Sequence, residues 1–224
     1  KIIGLYAGGT LAAECAMLLS EKLNVEVDNE HKQGTMLDAD GHKIIDMGDD
    51  FYTQGKPHPM IDPSTRNKFI SELSNKTEAG VLLVDFVIGY GATQDPAGAL
   101  IQEIKKLNEK RGEANPLITI ATITGTEDDP QNRSEQQKQL KEAGIIVMDT
   151  LPEAVLLAKE LIQPHPAEAH AEVSPLLNGI SVINAGLRSF PDDLQSSGTP
   201  VVHYQWAPVA GGNKKLAEIL KKLK

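Results

Sequence analysis

The chain has 224 residues, 40% of them hydrophobic and 24% charged, so a core burying roughly 70% of the extended surface is within reach and no staple is needed. Net charge is −9, and the basic excess is confined to Lys214, Lys215, Lys221, Lys222 and Lys224 on one short solvated helix; this excludes the phosphate-tracking stripe of a nucleic-acid binder. Cys15 is the only cysteine and no apolar run approaches the ~18 residues of a membrane span, which excludes an internal disulfide and a membrane helix and points to a reducing, cytoplasmic setting.

Short aliphatic runs alternate with amphipathic stretches. Residues 2–7, 43–47, 80–88, 116–122 and 144–148 read as strands, each apolar and mostly bounded by Gly, Pro or Asp, as in a sheet buried on both faces. Asp62-Pro63, Asp95-Pro96 and Asp129-Pro130 each set a side-chain acceptor ahead of a proline, a helix-start pairing, and Gly144 offers a left-handed stop after Ala143. Strands alternating with helices of about ten to fifteen residues predict βαβ units, so residues 1–163 read as one doubly wound α/β domain. The chain opens on its first strand without an initiator Met, as a module of a longer protein does. Residues 164–178, with Pro164, His165, Pro166 and His170, read as a linker. Residues 179–224 read as a small β-α-β-α extension, too short for a core of its own.

In an open parallel sheet, ligands bind beyond the carboxyl ends of the strands. Four loops are placed there: Gly8-Gly9-Thr10, Asp46-Met47-Gly48-Asp49-Asp50, Gly89-Tyr90-Gly91-Ala92-Thr93 and Thr124-Gly125-Thr126-Glu127-Asp128-Asp129. The 89–93 loop opens onto the helix announced by Asp95, where backbone N–H groups and the helix dipole favour an anion; its plainer reading is a tight strand-to-helix turn. Gln94 stands where a dinucleotide fingerprint needs its third glycine, and neither a Walker-type loop nor a Gly-x-Ser-x-Gly elbow occurs. The 46–62 segment is long for a βα connection, and Pro57 and Pro59 stiffen it around His58. His58 is thereby suited to carry a proton or meet a substrate anion. Asp49 and Asp50 are suited to a divalent cation, but aspartates that cap turns are the stronger reading, and no metal site is expected.

The runs Ile3-Gly4-Leu5-Tyr6-Ala7-Gly8-Gly9-Thr10-Leu11, Ile45-Asp46-Met47-Gly48-Asp49-Asp50 and Gly55-Lys56-Pro57-His58-Pro59-Met60-Ile61-Asp62-Pro63 resemble those of the FdrA family. So do Gly89-Tyr90-Gly91, Gly125-Thr126-Glu127-Asp128-Asp129-Pro130-Gln131, Val182-Ile183-Asn184-Ala185-Gly186-Leu187 and Trp206-Ala207-Pro208, and together they span nearly the whole chain. That family is similar in turn to succinyl-CoA synthetase. The order of elements in residues 1–163 resembles that enzyme's flavodoxin-like CoA-ligase domain.

The resemblance implies a flavodoxin-like doubly wound parallel sheet with a C-terminal extension, and chemistry through an acyl or carbamoyl phosphate. It implies CoA or a phosphorylated acyl or carbamoyl donor as ligand, a CoA-binding-type domain ahead of this one, and partner subunits, with carbamoyl transfer in purine (allantoin or oxamate) breakdown as one setting. The synthetase's phosphohistidine has no counterpart, because the chain runs Gly9-Thr10-Leu11-Ala12-Ala13-Glu14 after its first strand. It resembles the synthetase half that lacks this residue, and ATP-driven thioester synthesis by this chain alone is not expected. On this reading the phosphate of a small anionic substrate rests on the amides of Gly89, Gly91, Ala92 and Thr93, joined by Gly8, Gly9, Thr10, Gly125 and Thr126. His58 and Lys56 supply charge or protons, and Asp49 and Asp50 orient them. The competing expectation is a non-catalytic assembly domain that uses Val201, Val202, Tyr204 and Trp206 as contacts.

Overall fold

The computed structural model describes residues 1–27, 30–163, 180–204 and 209–222. The chain divides into two compact units, Lys1–His165 and Pro166–Lys224. The first contains β1 (Ile2–Tyr6), α1 (Gly9–Leu23), β2 (Thr35–Ala39), β3 (His42–Asp46), α2 (Asp50–Thr53), α3 (Ser64–Glu72), β4 (Val81–Val87), α4 (Pro96–Arg111), β5 (Ile118–Thr124), α5 (Arg133–Glu142), β6 (Ile146–Met148) and α6 (Leu151–Ile162). Their sheet has the order β2-β3-β1-β4-β5-β6. Every pairing from β3 to β6 is parallel, and β2 runs antiparallel along the β3 edge. Numbered among themselves, the parallel strands lie in the order 2-1-3-4-5, the flavodoxin-like doubly wound arrangement, so the fold class read from the sequence holds.

Alternation along the strands sorts the core into two layers. On β4, Val81 and Leu83 pack with Ala12, Cys15, Ala16 and Leu19 of α1 and with Val155 and Ala158 of α6. Leu82, Val84 and Phe86 face the other way, onto Ile70 of α3, Leu100 and Ile104 of α4, and Leu140 of α5. A central strand buried on both faces has no polar side left to show, which is why it reads as a continuous apolar run.

Several boundaries differ from the sequence reading. β2 was not anticipated, although Asp40-Gly41 links it to β3 with φ of 50° and 81°, the left-handed pair that a tight type I′ hairpin demands. Asp95 caps α4 as expected, its Oδ1 accepting from Gly98 N at 3.0 Å with Pro96 at the first position. Asp62 Oδ1 accepts from Ser64 N at 2.9 Å, so Pro63 precedes α3 rather than opening it. Asp129-Pro130 does not start a helix. The Asp129 carboxylate is engaged by Thr126 N at 2.6 Å, and α5 begins four residues later under Asn132, whose Oδ1 accepts from Glu135 N at 3.0 Å.

The second unit contains β7 (Val182–Asn184), α7 (Ser189–Ser196), β8 (Val201–His203) and α8 (Lys214–Lys222), with β7 and β8 pairing in parallel. The linker expected at 164–178, with His165 and His170, lies outside the described residues, as do Trp206, Ala207, Pro208 and Lys224. Among the described residues, no helix is long and apolar enough to cross a membrane.

Candidate functional site

The flavodoxin-like order reverses direction between β1 and β4, and the crevice at their carboxyl ends is where a ligand belongs. Beneath it lies Asp85, with no exposed surface. Its two carboxylate oxygens accept from Ala7 N at 2.6 Å and Gly8 N at 2.9 Å, which fixes how the chain leaves β1 and enters α1. Arg66, itself buried, donates to the Asp85 carbonyl at 2.7 Å, lies 3.5 Å from its carboxylate and stacks 5.3 Å from the Phe86 ring centre. Burial raises the Asp85 pKa, opposed by the Arg66 charge and the two amides.

α1 begins at Gly9 with no side-chain cap and no acid in its first turn. The amides of Gly9, Thr10 and Leu11 have no hydrogen-bond partner among the described residues. A fifteen-residue helix thus presents its positive end unpaired. A Cβ on Gly9 would lie 2.6 Å from Asp46 Oδ2, so glycine is what lets α1 start directly beside the Asp46 carboxylate.

His58 folds back onto the same place. Its Nδ1 accepts from Met60 N at 3.2 Å, which leaves the proton of the neutral ring on Nε2. A Cβ on Gly48 would lie 2.6 Å from that Nε2, 2.7 Å from the Ala7 carbonyl and 3.1 Å from Asp46 Oδ1, so imidazole and carboxylate converge on one glycine. Burial raises the Asp46 pKa; Gly48 N at 2.8 Å and the His58 ring oppose this, while the charges of Asp49 and Asp85 reinforce it.

The other sequence-chosen residues are placed differently. Asp49 caps α2 through Phe51 N at 2.8 Å, and Asp50 and Lys56 are exposed. The acid facing His58 is therefore Asp46, which the sequence reading left in the loop without a role. In the 89–93 loop, Gln131 Oε1 accepts from Gly89 N at 3.0 Å, Ala92 N donates to Gly89 O at 3.2 Å, and Thr93 N donates to Met60 O at 2.9 Å. The start of α4 is closed as well, by Asp95 on Gly98 N and by Gln136 Oε1 on Ala97 N at 3.0 Å. A Cβ on Gly89 would stand 3.8 Å from Asp129 Oδ1, so a carboxylate already faces this loop. Thr126 N is held by that same Asp129, and Gly125 lies against Ile88. Of the predicted cradle, Gly9 and Thr10 keep unpaired amides, with Gly9 beside Asp46, whereas the Gly8 amide is taken by Asp85. Among the described residues, no cluster of His, Cys, Asp and Glu is arranged to hold a metal ion.

Residues 5–161 match the family model of CoA-ligase. The chain is also similar to the uncharacterized protein YahF of Escherichia coli (strain K12), at 36% identity over 167 residues. That alignment covers 72% of this chain and 32% of YahF, so the chain spans about a third of the length of the curated relative it matches.

Proposed function

Because this chain belongs to the CoA-ligase family and is in that sense acyl-CoA-synthetase-like, we propose that its first unit holds the phosphate of an acyl or carbamoyl phosphate at the start of α1, as part of an FdrA-type protein. The observation that carries this reading is the contrast between two helix starts. α4 has its first amides taken by Asp95 and Gln136, whereas α1 leaves Gly9, Thr10 and Leu11 unpaired beside Asp46 and His58. Oriented amides at a helix start suit a phosphate, and donors already fixed in place suit an oxyanion that develops during transfer. His58 then delivers the proton on Nε2, the nitrogen left free by Met60.

Asp46 sets a condition on binding. A phosphate on the α1 amides lies next to this carboxylate, and two like charges that close are relieved when one takes a proton. Binding is therefore coupled to proton uptake at Asp46 and strengthens as the pH falls toward the carboxylate range. The transfer itself, the acceptor and the use of CoA belong to the longer protein.

The test is a titration of the isotope-labelled chain with acetyl phosphate, carbamoyl phosphate and sulfate, read at individual backbone amides. Shifts should centre on Gly9, Thr10 and Leu11, and Asp46→Asn should tighten binding at neutral pH by roughly three- to tenfold while flattening its pH dependence. Shifts centred on Tyr90 and Gly91, or none at either place, would defeat the reading. A specific observation favours an assembly role for the second unit alone: Ile183, Val202 and Tyr204 are all exposed there.

A further inference from the structure

We propose that the first unit carries a second ligand site, for a small monocarboxylate with a compact apolar body, on the sheet face between α2 and α3. It is separate from the loops beyond the strands and does not rest on the phosphate reading. A cavity of about 140 Å³ opens there. Ile3, Leu5 and Ile45, all buried core residues, make its floor. Tyr52 and Phe69, edge to face at 5.5 Å between ring centres, stand at its side. An apolar cavity of about 150 Å³ admits a benzene ring, so this volume suits a ring or a short branched chain and little more.

Charge selects the other end of the ligand. Lys43, Lys76 and Glu72 line the cavity. Lys43 Nζ is already paired with Asp38 at 2.8 Å, whereas the Lys76 ammonium has no ion-pair partner among the described residues. A ligand with its apolar body on the isoleucine and leucine floor and its carboxylate at Lys76 satisfies both halves of the site.

The backbone around the cavity is held in an uncommon shape. His31 and Gln33 take φ of 49° and 53°, left-handed values that cost a side-chain-bearing residue on the order of 1 kcal/mol or more, and Gln33 lines the opening. The turn is wedged in place by Gly34, where a Cβ would come within 2.3 Å of the Asp46 carbonyl and 2.9 Å of Asp49 Cβ. This turn keeps one wall standing where a relaxed chain would be free to fold into the gap.

Benzoate is the probe, titrated into the labelled chain, with benzyl alcohol as its uncharged counterpart. Saturable shifts are expected at Thr35, Ile45, Tyr52 and Lys76, with a dissociation constant in the millimolar range. Lys76→Gln, an exposed substitution, should weaken benzoate about fivefold and leave benzyl alcohol unchanged. The proposal is overturned by shifts that stay linear to about 10 mM, by equal loss of both probes in the variant, or by benzoate shifts centred on Gly9 to Leu11. Acetyl phosphate should leave these four residues unmoved, so the two sites stand or fall separately.

Discussion

A buried carboxylate is tolerated when its oxygens find donors, and Asp85 finds them in the amides of Ala7 and Gly8 with Arg66 alongside. It sits in an otherwise apolar strand, VLLVDFV, where one acid in a run buried on both faces marks a position that needs a partner. His42 is the corresponding case for a base. Ile2 N donates to its Nδ1 at 3.1 Å, which requires a ring that is neutral at that nitrogen. Burial first, then the nearby charges of Lys1 and the chain amine, push its pKa below the ordinary value, against a smaller pull from Asp40. The unfolded chain therefore binds this proton more readily than the folded one. The stability contribution of His42 is fully present above the unfolded pKa of about 6.5 and is lost as the pH falls through the lower folded value. Denaturant midpoints measured between about pH 7.5 and 5.5 should drop toward the acid end. His42→Gln, whose side-chain oxygen can accept from Ile2 N, should flatten that slope. A slope that the substitution leaves intact would assign the pH dependence to another group.

At the scale of elements, the loop that leads into α4 is tied down by one glutamine. The Gln131 side-chain amide accepts from Gly89 N and donates to Gly89 O and Thr93 O, each at 3.0 Å. It is nearly fully buried, so the 89–93 loop is pinned rather than open. Gln131→Ala should cost on the order of 1–3 kcal/mol, because Gly89 N and Thr93 O lose their side-chain partner while Gly89 O keeps only Ala92 N. Amide exchange at Gly89 should accelerate by the same factor as the local loss of stability. Unchanged exchange there would mean that other contacts hold the loop. This pinning is where sequence reading stops. Glycines after β4 are visible as a turn suited to an anion, but which amides are free depends on a side chain 42 residues away, and Gln131 belongs to a segment that the Asp129-Pro130 pair assigns to the first turn of a helix. The parallel strands were legible because their apolar runs are bounded by turn residues. β2 was missed despite its Asp40-Gly41 turn because TMLDA is a short edge strand with only two buried residues, Met36 and Leu37, and a register shift against β3, so no continuous apolar run signals it. His58 was legible from its flanking prolines, whereas Asp46, its neighbour in space, was one aspartate among several in the same loop.

At the scale of the whole molecule, the two units differ in how much they can do alone. Both hydrophobic clusters, the one under α3, α4 and α5 and the one under α1 and α6, are built from residues of the first unit. Among the described residues, the second unit has two three-residue parallel strands and two short helices. Ile183 and Val202, opposite each other in the register, are 80% and 65% exposed, and Leu216, Ile219 and Leu220 of α8 are exposed as well. A two-stranded sheet is marginal in water even when hairpin-linked, and among the described residues this one shows no fully buried strand face to offset the entropy of ordering it. Residues 1–165 produced alone should therefore give a dispersed amide spectrum and a single cooperative unfolding transition. Residues 166–224 produced alone should give a collapsed spectrum and little helical signal. Should the shorter piece instead fold by itself, its exposed isoleucines, leucines and valine would have to bury one another, and an assembly role built on that apolar surface would lose its basis. Should the longer piece fail to fold, the completeness of its two core layers would be refuted.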